Sequence, residues 1–343
     1  MRRVLLIALA VLVLVLGACD GEEDDAPELS APPTRTPAPP TPTPASTETA
    51  QPAANSLRVV SLYSEVDAFL NASESVSALD RVDLLDEYLF DPAAECFESN
   101  WWVGVAPQEL FSFNVVSLNL EFWRAGADIF PASALEAEIT DALTLAMDRW
   151  PPLEELVVCV VPLPYIGTPE GQENGGLTVR VNGSNRVFIG CAAGEYCLDH
   201  VLPEMLYAYG FLLQIGLTGQ SAFESTFLEH IVFSGRADEF ARQLVEPYEM
   251  RWIDALTPDQ IGQLWDRILR DRDLTPAGYG NARDLTQILY GGQNQNRFPT
   301  WGGLYIGDQI VRSYRAAHPE ASLEALFALD AATLLEESGY APQ

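Results

Sequence analysis

The chain has 343 residues, with 49 acidic and 19 basic side chains and a net charge of −30 when its three histidines are neutral. Every basic residue is arginine. A chain this acidic lacks the basic patch that a phosphate backbone requires, which excludes nucleic acid as a partner. The absence of lysine excludes Schiff-base catalysis.

The N-terminus is predicted to be a targeting segment. Arg2 and Arg3 precede an apolar run over residues 4–16, too short to span a bilayer comfortably and typical of a signal peptide. The run ends in Leu16-Gly17-Ala18-Cys19, which resembles the bacterial lipobox, whose cysteine is lipidated and becomes the mature N-terminus. That resemblance makes residues 1–18 a lipoprotein signal peptide and Cys19 the lipidation site. It places the protein at the cell membrane, lipid-anchored and facing the extracytoplasmic side. Two or three acyl chains, at about 0.8 kcal/mol per buried CH2, hold such an anchor stably. Anionic headgroups repel an acidic surface, so membrane lipid is a partner through Cys19 alone.

Residues 19–55 hold the anchor cysteine and a linker. An acid cluster is followed by a proline- and threonine-rich stretch with no apolar period. Its proline density predicts an extended stalk, at about 3.1 Å per residue. Residues 56–343 are predicted to form one domain, large enough for a substantial core. Cys96, Cys159, Cys191 and Cys197 remain as disulfide candidates. Four cysteines allow three connectivities. The short loop "CAAGEYC" favours the pairing of Cys191 with Cys197.

Residues 59–98 read as helical, with Leu79, Val82, Leu85 and Leu89 at three- and four-residue steps. Residues 113–126 are a strand or another buried segment. Leu135, Ile139, Leu143 and Met147 predict an amphipathic helix over 133–149, stopped by "WPP". "LEELVVCVVPLP" reads as a buried strand, and a glycine-rich loop follows. "LTVRVNGSNRVFIGC" reads as a hairpin around Asn182-Gly183. Leu202, Leu206, Tyr209 and Leu213 predict the next helix. A second covers roughly 222–244, with Arg236 off its apolar side. Thr257-Pro258 is a cap and first-turn pair. "GDQIVRSYRAA" and "SLEALFALDAATLLEESGY" are further helical signals, the latter capped by Ser322. The fold class is therefore α+β, predominantly helical.

Helix, strand, hairpin, helix, helix is also the order of a zinc-peptidase half-domain. There a His-Glu-x-x-His helix follows the sheet, two histidines four apart bind zinc, and the glutamate takes a proton from the zinc-bound water. The chain resembles a domain-of-unknown-function family of predicted zinc-dependent proteases from about residue 135 to the C-terminus. The resemblance is most specific in "PTWGGLYIGDQIVRSYRAAHPEASLEALFALDAATLLEESGYAP", and extends to "ELVVCVVPLP" and "LEHIVFSGRADEFA". It implies a zincin-like metallopeptidase domain. Carried over by position, it puts Pro203 at the first histidine, Glu204 at the general base, Tyr207 at the second histidine and Ser234 at the ligand glutamate. Proline and serine are not plausible structural zinc ligands, and neutral tyrosine binds zinc poorly. Pro203 lacks an N–H, which predicts that the helix starts or kinks there.

Two functional readings follow. In the first the domain is a degenerate, non-catalytic relative with no cofactor, which binds a peptide or protein along an edge strand within 177–190. In the alternative it is an active zinc peptidase with displaced ligands, for which His200, Glu204 and Asp238 are the conceivable trio. His230 beside Glu229 reads as a helix-surface pair, and His318-Pro319 as a turn. The chain has neither a phosphate loop nor a nucleophile elbow.

Overall fold

Seven residues, Leu156–Pro162, form the strand β2 with no polar side chain at all, and all seven are buried. Burial on both faces explains the missing alternation. Leu156, Val158 and Val160 enter one apolar cluster, while Val157, Cys159 and Val161 enter another. The sheet thus separates two cores.

This is a computed structural model, and it describes residues 56–77, 80–97, 120–164, 177–183, 185–192, 194–219, 225–246, 248, 256–275 and 302–342. The described residues lie within one compact unit, Ala50–Gln343. The signal segment, Cys19, the linker, Leu79 and the glycine-rich loop fall outside them.

Among the described residues four strands form the sheet: β1 (Leu57–Ser61), β2, β3 (Leu177–Asn182) and β4 (Arg186–Cys191), in spatial order β1-β2-β4-β3. β1 and β4 run parallel to β2, while β3 is antiparallel to β4 at the edge. The predicted hairpin is present, with Gly183 at φ 71° in its turn, a conformation that strains residues with a Cβ.

One face of the sheet packs on α1 (Tyr63–Ser73), α2 (Arg81–Leu85), a π-helical turn (Asp86–Phe90), α3 (Ala94–Phe97) and α4 (Leu120–Asp128). The reading of 59–98 as helical therefore needs correction at its start. Residues 59–61 belong to β1, whose partner lies about a hundred positions on, beyond the reach of local periodicity. In the ambiguous stretch 113–126, residues from 120 onward are helix, with Trp123 fully buried.

The other face carries α5 (Ala132–Arg149), α6 (Gly194–Thr218), α7 (Phe227–Leu244), α8 (Pro258–Asp271), α9 (Gly302–Ala317), α10 (Leu323–Ala328) and α11 (Ala331–Ser338). The four-residue apolar spacing of α5 is all buried. The predicted C-terminal helix is two, because Leu329 is extended and Asp330 caps α11 through its contact with Thr333 N. Thr257 caps α8 as read from the sequence, with Gln260 completing a capping box.

α7 differs from its prediction. Every residue from Phe227 to Ala241 except the partly exposed Glu229 is buried, Arg236 included at 1% exposure. A helix buried all round needs partners all round, and α6, α9, α10 and α11 supply them. Arg236 donates from Nη2 to the Leu329 carbonyl at 2.5 Å, and burial pulls its pKa down to about 10. His230 is also buried, not at the surface, and burial pulls its pKa down to about 4.

Two disulfides tie the layers: Cys96–Cys159 joins α3 to β2, and Cys191–Cys197 joins the end of β4 to the first turn of α6. The second is the pairing favoured from the sequence.

Candidate functional site

The site is built where α6 leaves the sheet. Cys191 closes β4, and six residues later Cys197 holds the first turn of α6 to it. The helix then runs unbroken from Gly194 to Thr218 with Pro203 inside, so the expectation that it starts or kinks near Pro203 is corrected. An internal proline costs about 3 kcal/mol. Val201, Met205 and Leu206, all fully buried around it, offset that cost by holding the helix to the core.

Glu204 and Tyr207 are partly exposed on α6. Tyr207 and Val181 of β3 pack against the same cluster of Phe211, Ile215, Phe233 and Ala237. The edge strand therefore borders the segment that holds Glu204. Ser234 is fully buried on α7 and donates to the His230 carbonyl at 3.3 Å, within its own helix. His200 stacks on Tyr196 at 3.9 Å, with Nδ1 2.8 Å from the Tyr196 carbonyl.

One turn beyond Ser234 stands Asp238, with 0% exposure. Its Oδ1 accepts from the Tyr248 hydroxyl at 2.8 Å, while Oδ2 has no hydrogen-bond partner. Burial pushes its carboxyl well above the usual range. Asp308 and Glu204 add repulsion, while the Tyr248 hydrogen bond and Arg242 oppose it. The Tyr248 phenol is likewise pushed up, by burial first and then by Asp238 and Glu204. The hydrogen bond joins Asp238 to Tyr248, Tyr248 and Tyr207 both pack against Leu304, and Glu204 stands one turn before Tyr207 on α6, its charge felt by Asp238 and Tyr248.

An ion network lies behind this cluster. Asp308 on α9 is fully buried between Arg242 Nη2 at 2.6 Å and Arg312 Nε at 2.8 Å. Glu239 pairs with Arg242 at 2.6 Å and with Arg315 at 3.2 Å. A buried carboxylate needs such partners, because its desolvation is expensive. Gly235 and Gly307 let α7 and α9 approach to backbone contact, which brings Arg242 to Asp308. Sequence reading missed Tyr248, Arg242 and Asp308, and no local signal marks them.

The donor set does not fit zinc. Pro203 offers no side-chain donor, the Ser234 hydroxyl is used inside α7, and Tyr207 is a phenol packed among apolar groups. Among the described residues no three His, Cys, Asp or Glu side chains gather closely enough to hold a metal ion. The structure brings Glu204 near Asp238 but does not assemble them with His200.

A cavity of ≈ 490 Å3 lies along the C-terminal half of α6, lined by Trp150, Tyr209, Leu212 and Phe327 among others. It includes none of Pro203, Glu204, Tyr207, Ser234 or Asp238, so the polar cluster is the better candidate site. No curated protein and no solved structure matches the chain. Residues 170–336 match the model of a family described as Predicted Zn-dependent protease (DUF2268), which bears out the resemblance over the segment that holds β3, β4, α6, α7 and α9.

Proposed function

We propose that this chain is a membrane-anchored extracytoplasmic lipoprotein whose zinc-protease-like domain is non-catalytic and binds peptide. The observation that carries the reading is the donor set: proline, tyrosine and serine stand at the positions that the family resemblance assigns to zinc ligands. Glu204 remains, but a general base with no metal-bound water to deprotonate has no hydrolytic role.

The edge position of β3 supports peptide binding. Its outer edge faces away from β4, and an extended peptide adds to such an edge through main-chain hydrogen bonds. Lipidation at Cys19 and the stalk that follows suit capture of ligands outside the cell, at up to roughly 110 Å from the bilayer for 36 extended residues.

Elemental analysis of the purified chain tests this reading. The expected result is substoichiometric zinc. One tightly held zinc per chain would establish the alternative, an active peptidase with displaced ligands. In that case Glu204→Gln should abolish peptide hydrolysis.

A further inference from the structure

Asp238 is the one acidic side chain in the cluster whose surroundings do not account for it. Asp308 and Glu239 are matched by Arg242, Arg312 and Arg315 at ion-pair distance. Asp238 makes no ion pair among the described residues. It has 0% exposure, one oxygen held by Tyr248 and the other with no partner. A buried carboxylate oxygen with nothing to accept from is costly when ionised, because it has given up its hydration for no partner. Such a group is held neutral by a proton or answered by a cation.

The neighbours select the kind of cation. Glu204 stands on α6 one turn before Tyr207, which packs on Leu304 as Tyr248 does, and its charge raises the pKa of both Asp238 and Tyr248. Tyr207 and Tyr248 pack together on Leu304, and both are partly exposed. Aromatic faces beside carboxylates suit a cation with an apolar stem, because the ring quadrupole attracts the charge while the ring buries the CH2 groups. A metal ion needs more ligands than this cluster brings together.

We propose that Asp238 and Glu204, with the rings of Tyr207 and Tyr248, form a site for an organic cation, the ammonium or guanidinium group of a bound peptide. The site rests on the peptide-binding reading above and specifies its ligand: a positive group occupies the region where the family resemblance places zinc. The net charge of −30 draws such ligands toward the domain. Burial raises the pKa of Asp238, so a proton and a bound cation are alternative answers to its unpartnered oxygen.

Titration calorimetry on zinc-free protein tests the proposal with three probes. N-acetyl-lysine amide carries the charge on a side chain. Leucine amide carries it on the N-terminal amine. N-acetyl-norleucine amide is the neutral control for lysine. At least one charged probe is expected to bind about tenfold more tightly than the control, and which of the two does so identifies the source of the cation. Glu204→Gln, at a partly exposed position, and Asp238→Asn are each expected to weaken that probe about tenfold. Equal binding of all three probes overturns the proposal, as does no binding at millimolar concentration, or full affinity in Glu204→Gln. A zinc ion found in the starting protein overturns the non-catalytic reading instead, so the two failures are distinct.

Discussion

Replacing Gly235 by alanine is expected to force α7 and α9 apart. A Cβ on Gly235 would run into the Gly307 carbonyl group and come within 2.9 Å of Asp308 N. These are backbone atoms, so no rotamer change relieves the clash. The displaced strip also carries Asp308, whose carboxylate spans Arg242 and Arg312. Overpacking of this kind costs about 1–3 kcal/mol, against about 1 kcal/mol gained from the better helix propensity of alanine. The loss is placed near the upper end of that range, because the ion network must shift as well. A net loss of about 2 kcal/mol lowers Tm by roughly 3 °C in a domain of this size. Gly262 is the matched control. It lies inside α8 with nothing within 4 Å of an added Cβ. Gly262→Ala should therefore raise Tm by roughly 1–2 °C. Thermal unfolding followed by circular dichroism measures both. An unchanged or raised Tm in Gly235→Ala would refute the close packing inferred between α7 and α9.

Stability should depend on pH through His230. Its folded pKa of about 4 lies below the ordinary histidine value of 6.5, so the unfolded chain binds its proton first as pH falls. The contribution is fully present above 6.5 and declines from there toward 4, by up to about 3 kcal/mol. Asp238 and Asp308 shift the other way, so the difference between wild type and His230→Leu isolates the histidine; parallel urea-denaturation curves for the two proteins across that pH range would contradict it. The disulfides should differ in weight. Cys96 and Cys159 are 63 residues apart and Cys191 and Cys197 only 6, which gives about 4 and about 2 kcal/mol from loop-closure entropy. Double serine variants compared by denaturant midpoint report the order, and a larger loss from the short loop would show that it acts on the folded state by fixing the start of α6.

Much of the scaffold was legible from local chemistry. The four-residue spacing of α5, the unbroken apolar run of β2 and the Asn182-Gly183 turn each state their own structure. The reading of α7 from roughly 222 did not use the capping box of Thr226 and Glu229, which sets the start of the helix at Phe227. The strand β1 was not legible, because "LRVVS" becomes a strand only by pairing with β2. Pro203 misled because a local rule was applied to a helix that distant packing holds together.

The sequence alone determined which side chains the proposed reading has to work with. Side-chain identity is covalent, so if Pro203, Tyr207 and Ser234 stand at the ligand positions, as proposed, no fold makes them good zinc donors. Only the tertiary structure decided which groups meet there. Asp238, Tyr248 and Asp308 are spread over 70 residues and converge because most of α7 is buried and it touches α9 through paired glycines. The same burial leaves one oxygen of Asp238 without a partner. Desolvation depends on what surrounds a group in space, and a sequence records only what stands beside it along the chain.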